Sequence, residues 1–233
     1  MTSIAPAGRP QDGPGRPPNQ RDLAAAEARD RILAAAAECI VRDGLAKVRM
    51  AGIAREAGVS AGLLHYHFDT KEQLFAEVLT YSHRLSSVLN QQLLQHAGND
   101  APHRLSAFLD RCLPSDDGLA HEWLLWQELD LLCLRKPELA KVGADLYEDL
   151  YSSVAAIITD GIGTGHFTTD LPPRMVAETA VALCDGLGAR VLANDPNLTL
   201  ADARATLAAT VGTLVGHDGP LPAPAGTLTG ART

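Results

Sequence analysis

Apolar residues recur at helical spacing along most of the chain. Ile32, Ala36 and Ile40 are each separated by four positions, so they share one face of a helix. Gly44 follows that stripe, and glycine commonly ends a helix because it adopts the left-handed backbone conformation without steric penalty. The pattern predicts a first helix that begins near Asp22 and ends before Gly44.

A shorter helix is predicted next, because Met50, Ile53 and Ala57 fall on one face. Gly58 can form a tight turn after it. Ser60 is a favoured residue at the start of a helix, since its hydroxyl accepts a hydrogen bond from a free backbone N–H. The pattern therefore predicts a second short helix directly after a sharp turn.

The third predicted helix runs from Ala61 to Phe68, with Leu64 and Phe68 facing inward. Thr70 and Gln73 then have the spacing of a capping box, in which the side chains and backbone N–H groups of two residues satisfy each other. A fourth helix is predicted from there to about residue 95.

Five further apolar stripes predict five more helices. Pro137 is predicted to open the seventh helix, Pro172 the eighth, and Thr199 to cap the ninth. The predicted inward positions of the eighth helix include Met175, Val176, Ala180, Leu183 and Leu187. No convincing strand pattern occurs, so the predicted fold class is all-α: a three-helix head and a larger helical domain, with about nine helices.

Composition changes at both ends of the chain. Residues 1–21 and 217–233 are rich in proline and glycine, and such segments bury too little apolar surface to offset the entropy of ordering. We expect two disordered tails, a head at 22–80 and a second domain at 81–216.

The overall composition excludes several classes of protein. No apolar run is long enough for a membrane-spanning helix, and the N-terminus lacks the apolar core of a secretory signal. The four cysteines are widely spaced without a CxxC pair, which is typical of a reducing compartment. We therefore expect a cytoplasmic protein with reduced thiols, in which a redox switch is the less favoured alternative.

Charge is distributed unevenly along the chain. The formal net charge is -8, yet residues 1–55 carry nine Lys/Arg against six Asp/Glu. A polyanion would be attracted to the N-terminal part and repelled by the rest.

Residues 49–68 form the most informative motif. A helix, a glycine-containing turn and a short second helix make a helix-turn-helix, whose second helix enters the DNA major groove. With Leu64 facing inward, His65, Tyr66 and His67 are left available for phosphate oxygens and base edges.

The segment GVSAGLLHYHF at 58–68, followed by Lys71, Glu72 and Leu74, closely resembles the N-terminal domain of TetR-type regulators. The resemblance extends over about residues 25–80. It implies DNA-backbone contacts from Tyr66, His67 and Lys71, and base contacts from the start of the second helix and residues 61–65. The predicted DNA-binding residues are Arg49, Ser60, Ala61, Gly62, Leu63, His65, Tyr66, His67 and Lys71.

The motif also departs from that family's pattern. Val48 and Arg49 stand where threonine is common, and Ala51 and Ala61 stand where polar or basic residues are common. Base recognition then falls mainly to Arg49 and His65, with Leu63 or Ala61 against a thymine methyl group. DNA shape would have to supply further specificity.

The C-terminal half resembles, more weakly, the regulatory domain of the betaine-inhibitor-like branch of this family, at residues 123–128, 161–171 and 185–188. That resemblance implies a four-helix interface between the last two helices of two protomers. Two glycines inside the eighth helix suit close helix approach, although a simple kink is the alternative. The candidate interface residues are Leu183, Gly186, Leu187, Leu207 and Val211.

A ligand pocket is predicted among helices four to eight. Its candidate lining residues are Phe108, Glu122, Trp123, Trp126, Tyr147 and Tyr151. Aromatic rings with nearby carboxylates suit a lipophilic cation. Ordinary core packing of the rings and solvated acids is the alternative interpretation.

Other chemistry is not indicated. The glycines at 161–165 resemble a phosphate loop, but they follow a helix, so a helix end is favoured. His65 and His67 point to different sides of a helix and cannot chelate one metal ion together. Neither a metal, a cofactor nor an enzymatic nucleophile is expected.

The sequence therefore predicts a homodimeric repressor that binds a palindromic double-stranded DNA operator and is released by a small-molecule effector. An activator or a ligand-independent regulator of the same fold is the first alternative. A helical enzyme or carrier that contains such a hairpin by chance is the remote one.

Overall fold

The computed structural model describes residues 20–96 and 100–224, and the regular elements in those two ranges are all helical. The all-α prediction is confirmed. The helices are α1 (Gln20–Asp43), α2 (Met50–Glu56), α3 (Ala61–His67), α4 (Lys71–His96), α5 (Ala101–Arg111), α6 (Asp117–Arg135), α7 (Ala140–Gly163), α8 (Pro173–Leu192) and α9 (Leu200–Leu214).

Side-chain caps define where several helices begin. The Ser60 hydroxyl accepts from the Leu63 N–H at 3.1 Å at the start of α3. Thr199 and Asp202 form a reciprocal capping box at the start of α9. Thr70 caps α4 as predicted, but the amide oxygen of Gln73 accepts from the N–H of Asp69, so the predicted box is only half formed.

Three predicted helix boundaries differ from the structure. Helix α1 begins at Gln20, before the predicted Asp22. Pro137 opens a 3-10 turn, Pro137–Leu139, and α7 itself begins at Ala140. Helix α7 also continues past Gly161 to Gly163, and the left-handed residue that ends it is Gly165, at φ 75°.

The described residues form two hydrophobic cores. One holds together α1–α4 around Leu64, Phe68 and Phe75, and it continues into the body through Leu125 of α6 and Leu146 of α7. The other is formed by α5, α7, α8 and α9. The N-terminal head is therefore packed directly on α6 and α7.

The first part of the predicted C-terminal tail is packed against the body. Leu221 is only 5% exposed, and its N–H donates to the Ala208 carbonyl at 3.0 Å. Gly212 has no room for a Cβ because the backbone at 219–221 passes over it. Because Gly212 has no side chain, the backbone at 219–221 can lie against α9, and the buried Leu221 side chain holds it there. Residues 217–224 are therefore packed on the body, which corrects the prediction that they belong to a disordered tail. The predicted tails at 1–19 and 225–233 lie outside the described residues.

Met175 does not face the core as predicted. Its side chain is 51% exposed, whereas the next residues, Val176 and Ala177, are buried. The stripe on α8 therefore begins one residue later than the pattern indicated.

Candidate nucleic-acid interface and ligand cleft

The two shortest helices are joined by a sharp turn. Gly58 adopts φ 64° between α2 and α3, and the N–H of Val59 donates to the Ala54 carbonyl at 3.0 Å. Leu64 and Phe68 are buried beneath α3 and fix it on the head. The predicted helix-turn-helix at 49–68 is present.

Helix α3 presents one face to solvent. Tyr66 is 79% exposed, and Ala61, Gly62 and His65 are also exposed. Leu63 is half-buried. An exposed phenol beside small residues lets a backbone or base edge approach closely, as groove binding requires.

His67 is less accessible than predicted. It is half-buried, and its ring packs edge-on against Tyr66 with 5.3 Å between centroids. Its Nε2 atom is buried and has no hydrogen-bond partner among the described residues. The exposed part of the predicted His-Tyr-His cluster is therefore His65 and Tyr66.

Lys71 is tied to the head by its own ammonium group. Its Nζ atom donates to the carbonyl of Leu45, in the loop after α1. Burial lowers the pKa of Lys71 below its ordinary value. An ammonium has three donors, so this bond leaves two for a phosphate oxygen.

Basic side chains lie at both ends of α2. Arg49 precedes the helix, is exposed and makes no side-chain cap bond. Lys47 and Arg55 are exposed as well. These two residues were not among the predicted DNA-binding residues, and their exposure adds basic charge on both sides of α2.

A cleft with about 730 Å³ of empty space, including its mouth, lies among α4, α5, α6, α7 and α8. Its lining residues are His83, Ser86, Asn90, Arg111, Cys112, Leu119, Glu122, Trp123, Trp126, Gln127, Tyr147, Leu150 and Asp185. Four of the six predicted pocket residues are among them: Glu122, Trp123, Trp126 and Tyr147.

The other two predicted residues lie elsewhere. Phe108 is fully buried in the core of the body, because it lies on the face of α5 that packs on the other helices. Tyr151 stacks on Tyr147 with 5.8 Å between centroids, and the Arg174 guanidinium lies 4.8 Å from the centre of the Tyr151 ring. Tyr151 therefore meets the cleft wall through Tyr147.

Aromatic rings form one wall of the cleft. The Trp126 and Tyr147 rings meet edge to face at 5.5 Å, and His83 lies 6.3 Å from Trp126. The Trp123 indole N–H donates to the Cys112 carbonyl at 3.1 Å. A Cβ on Gly188 would overlap the Trp123 ring, so this glycine makes room for the indole.

The two carboxylates that line the cleft differ in their partners. Glu122 accepts from Arg111 at 3.1 Å and from the Ser86 hydroxyl, so its charge is balanced within the protein. Asp185 accepts only from the Tyr147 hydroxyl, at 3.5 Å, and has no basic partner among the described residues. It is the carboxylate available to a cation.

Burial and the nearby charge of Asp130 raise the pKa of Asp185 to about 6. Burial also raises the pKa of Asp130. Asp185 was not among the predicted pocket residues. The sequence signal for it is an acidic residue in an otherwise apolar stretch of α8, between Cys184 and Leu187.

Three of the predicted interface residues are buried within the protomer. Leu187, Leu207 and Val211 lie in the core of the body, so they do not form an exposed interface, and that expectation is corrected. Leu183 is half-buried and Gly186 is exposed. The periodicity marked apolar faces correctly but could not separate core contacts from contacts with a partner.

Small residues are exposed along one side of α8 and along one side of α9. The faces consist of Thr179, Ala182 and Gly186 on α8, and of Ala201, Ala205, Ala209 and Thr213 on α9.

Two further properties hold for the part of the chain that the structure describes. None of its helices is long and apolar enough to cross a membrane. Within the same ranges, no three His, Cys, Asp or Glu side chains are grouped so that they could hold a metal ion.

An exposed helix-turn-helix head, packed on a helical body that contains a cleft, defines a DNA-binding transcriptional regulator. Comparison with known protein families supports this class of protein. Residues 32–78 match the family described as bacterial regulatory proteins, tetR family, and residues 101–216 match BetI-type transcriptional repressor, C-terminal. The chain belongs to the TetR family.

Individual relatives agree with that assignment. The HTH-type transcriptional regulator BetI of Agrobacterium fabrum is 30% identical over 76% of this chain and 82% of its own length. A putative TetR-family regulator from Rhodococcus sp. has a similar structure, with a TM-score of 0.73 and 28% identity over 82% of this chain and 99% of that one. A putative regulator from Saccharomonospora viridis, solved in complex with choline, has a TM-score of 0.71 and 32% identity over 78% of this chain and 94% of that one.

These relatives are transcriptional regulators and not enzymes, so the alternative of an enzyme with a chance hairpin is rejected.

Proposed function

We propose that the protein is a homodimeric transcriptional repressor whose affinity for its DNA operator is lowered by a small organic cation bound in the cleft. The observation that carries the proposal is the double role of α6. One side of this helix lines the cleft, and another side belongs to the core of the DNA-binding head. We further propose that it acts in the cytoplasm.

Contacts of α6 with the head support this coupling. Trp126 lines the cleft and also packs against the core of the head. His121 lies 3.8 Å from Glu38 of α1, and Lys136, directly after α6, lies 3.3 Å from Glu72 of α4. A ligand that displaces Trp126 would therefore move the surface on which the head rests. The ligand must bind the displaced arrangement more tightly, because only differential affinity shifts the equilibrium.

A dimer through α8 and α9 is supported by their exposed small residues. Small side chains allow two helices to approach closely and bury backbone as well as side chains. The twofold axis of such a dimer would place the two α3 helices in successive major grooves, roughly 34–36 Å apart, on a palindromic operator.

The charge balance of the cleft supports a cationic effector. Arg111 and Glu122 neutralise each other, so Asp185 determines the charge that a ligand meets. The Trp126 and Tyr147 rings offer π-faces, and aromatic rings with a carboxylate are the usual surroundings of a quaternary ammonium group. Choline, found in the Saccharomonospora viridis relative, is therefore the first probe.

The direction of regulation rests on the BetI-type repressor match over residues 101–216. An activator or a ligand-independent regulator has the same fold. A reporter strain that lacks the gene separates these functions: expression from the target promoter rises if the protein represses and falls if it activates.

DNA binding is tested by a gel-shift titration with the DNA upstream of the protein's own gene and of its neighbour, at two salt concentrations. We expect tight binding that weakens with salt, because phosphate contacts release counterions. Tyr66→Ala should lose at least tenfold in affinity, and Ser152→Ala, an exposed truncation on α7, should not. No binding even to bulk genomic fragments at low salt would refute a DNA-binding function.

A further inference from the structure

A second polar cluster lines the cleft, apart from Asp185. Arg111 is the last residue of α5, and its side chain is only 16% exposed. Its Nε atom donates to the side-chain oxygen of Asn90 on α4, and its Nη2 atom donates to Glu122 on α6 at 3.1 Å. All three residues line the cleft, and the proposed cation site uses none of them. The cluster is therefore available to another part of a ligand.

The guanidinium of Arg111 has more donors than partners. It carries five N–H groups, of which the bonds to Asn90 and Glu122 engage two. Its Nη1 atom has no hydrogen-bond partner among the described residues. Asn90 accepts through its amide oxygen, so its NH2 group is left as a donor as well. The ion pair thus balances the charge of Glu122 and still leaves several N–H groups for an acceptor in the cleft.

These free donors suit a carboxylate. Arginine binds a carboxylate through parallel N–H bonds, and such charge-assisted bonds are roughly twice as strong as bonds between neutral groups. Glu122 is held at Nη2 of Arg111 and by the Ser86 hydroxyl, which leaves Nη1 to a second carboxylate. The mostly buried position of Arg111 strengthens the attraction, because less water screens it. The chemistry of the cluster therefore favours an anionic oxygen group on the ligand.

The polar cluster and the aromatic wall lie two helical turns apart along α4. His83 and Asn90 both line the cleft from this helix. The His83 ring lies edge-on to Trp126, whereas Asn90 is bonded to Arg111. The seven residues from His83 to Asn90 rise by about 10 Å along the helix axis. A ligand that reaches both groups must therefore be longer than choline, in which two carbon atoms separate the nitrogen from the hydroxyl.

We propose that the effector is bipolar: a quaternary ammonium group at the Trp126 end of the cleft, joined by an aliphatic chain to a carboxylate that Arg111 and Asn90 bind at the other end. The idea rests on the proposed function, because the cation binds in the same cleft, and it adds the second charge and the length of the molecule. Leu119 and Leu150 also line the cleft and supply apolar surface for the chain.

Calorimetry on the full-length protein at pH 7.5 compares two ligands of equal length. The first, ε-trimethylammoniohexanoate, carries both charges, and in the second, hexyltrimethylammonium, a methyl group replaces the carboxylate. We expect the first to bind about tenfold more tightly, because charge-assisted hydrogen bonds to arginine outweigh the apolar contact of one methyl group. Glycine betaine, whose two charged groups are one carbon apart, should bind more weakly than ε-trimethylammoniohexanoate. Equal or tighter binding of hexyltrimethylammonium would overturn the proposal.

Paired substitutions test the role of Arg111. Arg111→Gln combined with Glu122→Gln leaves the net charge of the cleft unchanged and should abolish the preference for the carboxylate ligand. Lys141→Gln combined with Asp145→Asn is the matched control: it removes an exposed ion pair of α7 outside the cleft and should keep the preference. Arg111→Lys retains the charge beside Glu122 but loses the planar fork, so it should lower the preference too. Circular dichroism establishes that each variant is folded. A preference that survives in the Arg111 variants would contradict the assignment.

The same ligands separate this proposal from the proposed function. If choline or hexyltrimethylammonium binds the wild type and the carboxylate adds no affinity, the cation site stands and the bipolar effector is refuted. If neither of these cations nor ε-trimethylammoniohexanoate binds, the cleft is not a site for organic cations, and both proposals are refuted.

Discussion

At the residue scale, the charge of the cleft depends on the different partners of its two carboxylates, Glu122 and Asp185. Glu122 has Arg111 and Ser86 as partners, and Asp185 has only a tyrosine hydroxyl. A carboxylate without a basic partner is costly to bury, and the raised pKa of Asp185 records that cost. A bound cation would relieve it.

The pH dependence of effector binding follows from this residue. Because the pKa of Asp185 is raised to about 6, lowering the pH from 7.5 to 5 protonates it and removes the charge that attracts a cation. We expect choline to bind roughly tenfold more weakly at pH 5, as measured by calorimetry.

The control for this pH effect is Asp185→Asn, which should bind choline weakly at both pH values. An affinity of the wild type that does not change between pH 7.5 and 5 would contradict the role of Asp185.

At the element scale, α2 and α3 are too short to be stable alone. Isolated helices shorter than roughly 12 residues are marginal in water, so these two depend on buried contacts and on the turn between them. Gly58 is the residue on which that turn depends, since its φ of 64° is unfavourable for any residue with a Cβ.

A pair of glycine substitutions tests the turn. Gly58→Ala should lower the free energy of unfolding by about 1 kcal/mol, since open space surrounds the new methyl group and only the backbone is strained. Gly52→Ala, also in open space but within α2, should raise it by about 0.5–1 kcal/mol. Urea denaturation measures both. Equal effects of the two substitutions would show that the turn does not need a left-handed residue.

Helix α8 contains a glycine, Gly188, that is required because a ring of a neighbouring helix packs against it. Gly188 leaves space for the Trp123 ring, so Gly188→Ala should force the indole to move and lower the free energy of unfolding by about 1–3 kcal/mol. Choline affinity should fall as well, because Trp123 lines the cleft. Thermal denaturation and tryptophan fluorescence measure these effects, and an unchanged emission spectrum would argue against the contact.

At the scale of the whole molecule, opposite charges are separated along the chain. The basic residues near the head and the acidic excess elsewhere orient the protein toward a polyanion. A second property at this scale is the pair of exposed small-residue faces on α8 and α9, which the proposed dimer would cover.

The dimer is tested at Gly186, which is exposed in the protomer and has open space around it. Gly186→Leu should leave the protomer folded but weaken dimerisation at least tenfold, because a bulky side chain separates closely packed helices. Sedimentation equilibrium measures this effect. Ser152→Leu, on an exposed part of α7, is the control and should leave the association state unchanged. If Gly186→Leu dimerises like the wild type, the interface lies elsewhere.

The sequence by itself determined the helices, the helix-turn-helix and the family resemblance. These depend on local signals: the apolar period of a helix, the cap at Ser60 and the turn at Gly58 each act within a few residues. The aromatic part of the cleft was also predicted, because Trp123, Trp126 and Tyr147 stand out in a chain with few aromatic residues.

Only the tertiary structure decided which apolar face meets which neighbour. Val211 and Gly186 lie on faces that the pattern treats alike, yet one is in the core and the other is on the surface. The hydrogen bonds of Glu122 with Ser86 and of Asp185 with Tyr147 join residues far apart in the chain. Helical periodicity reports the direction of a side chain from its own helix axis, and a contact also requires the position of a second helix, which packing alone supplies.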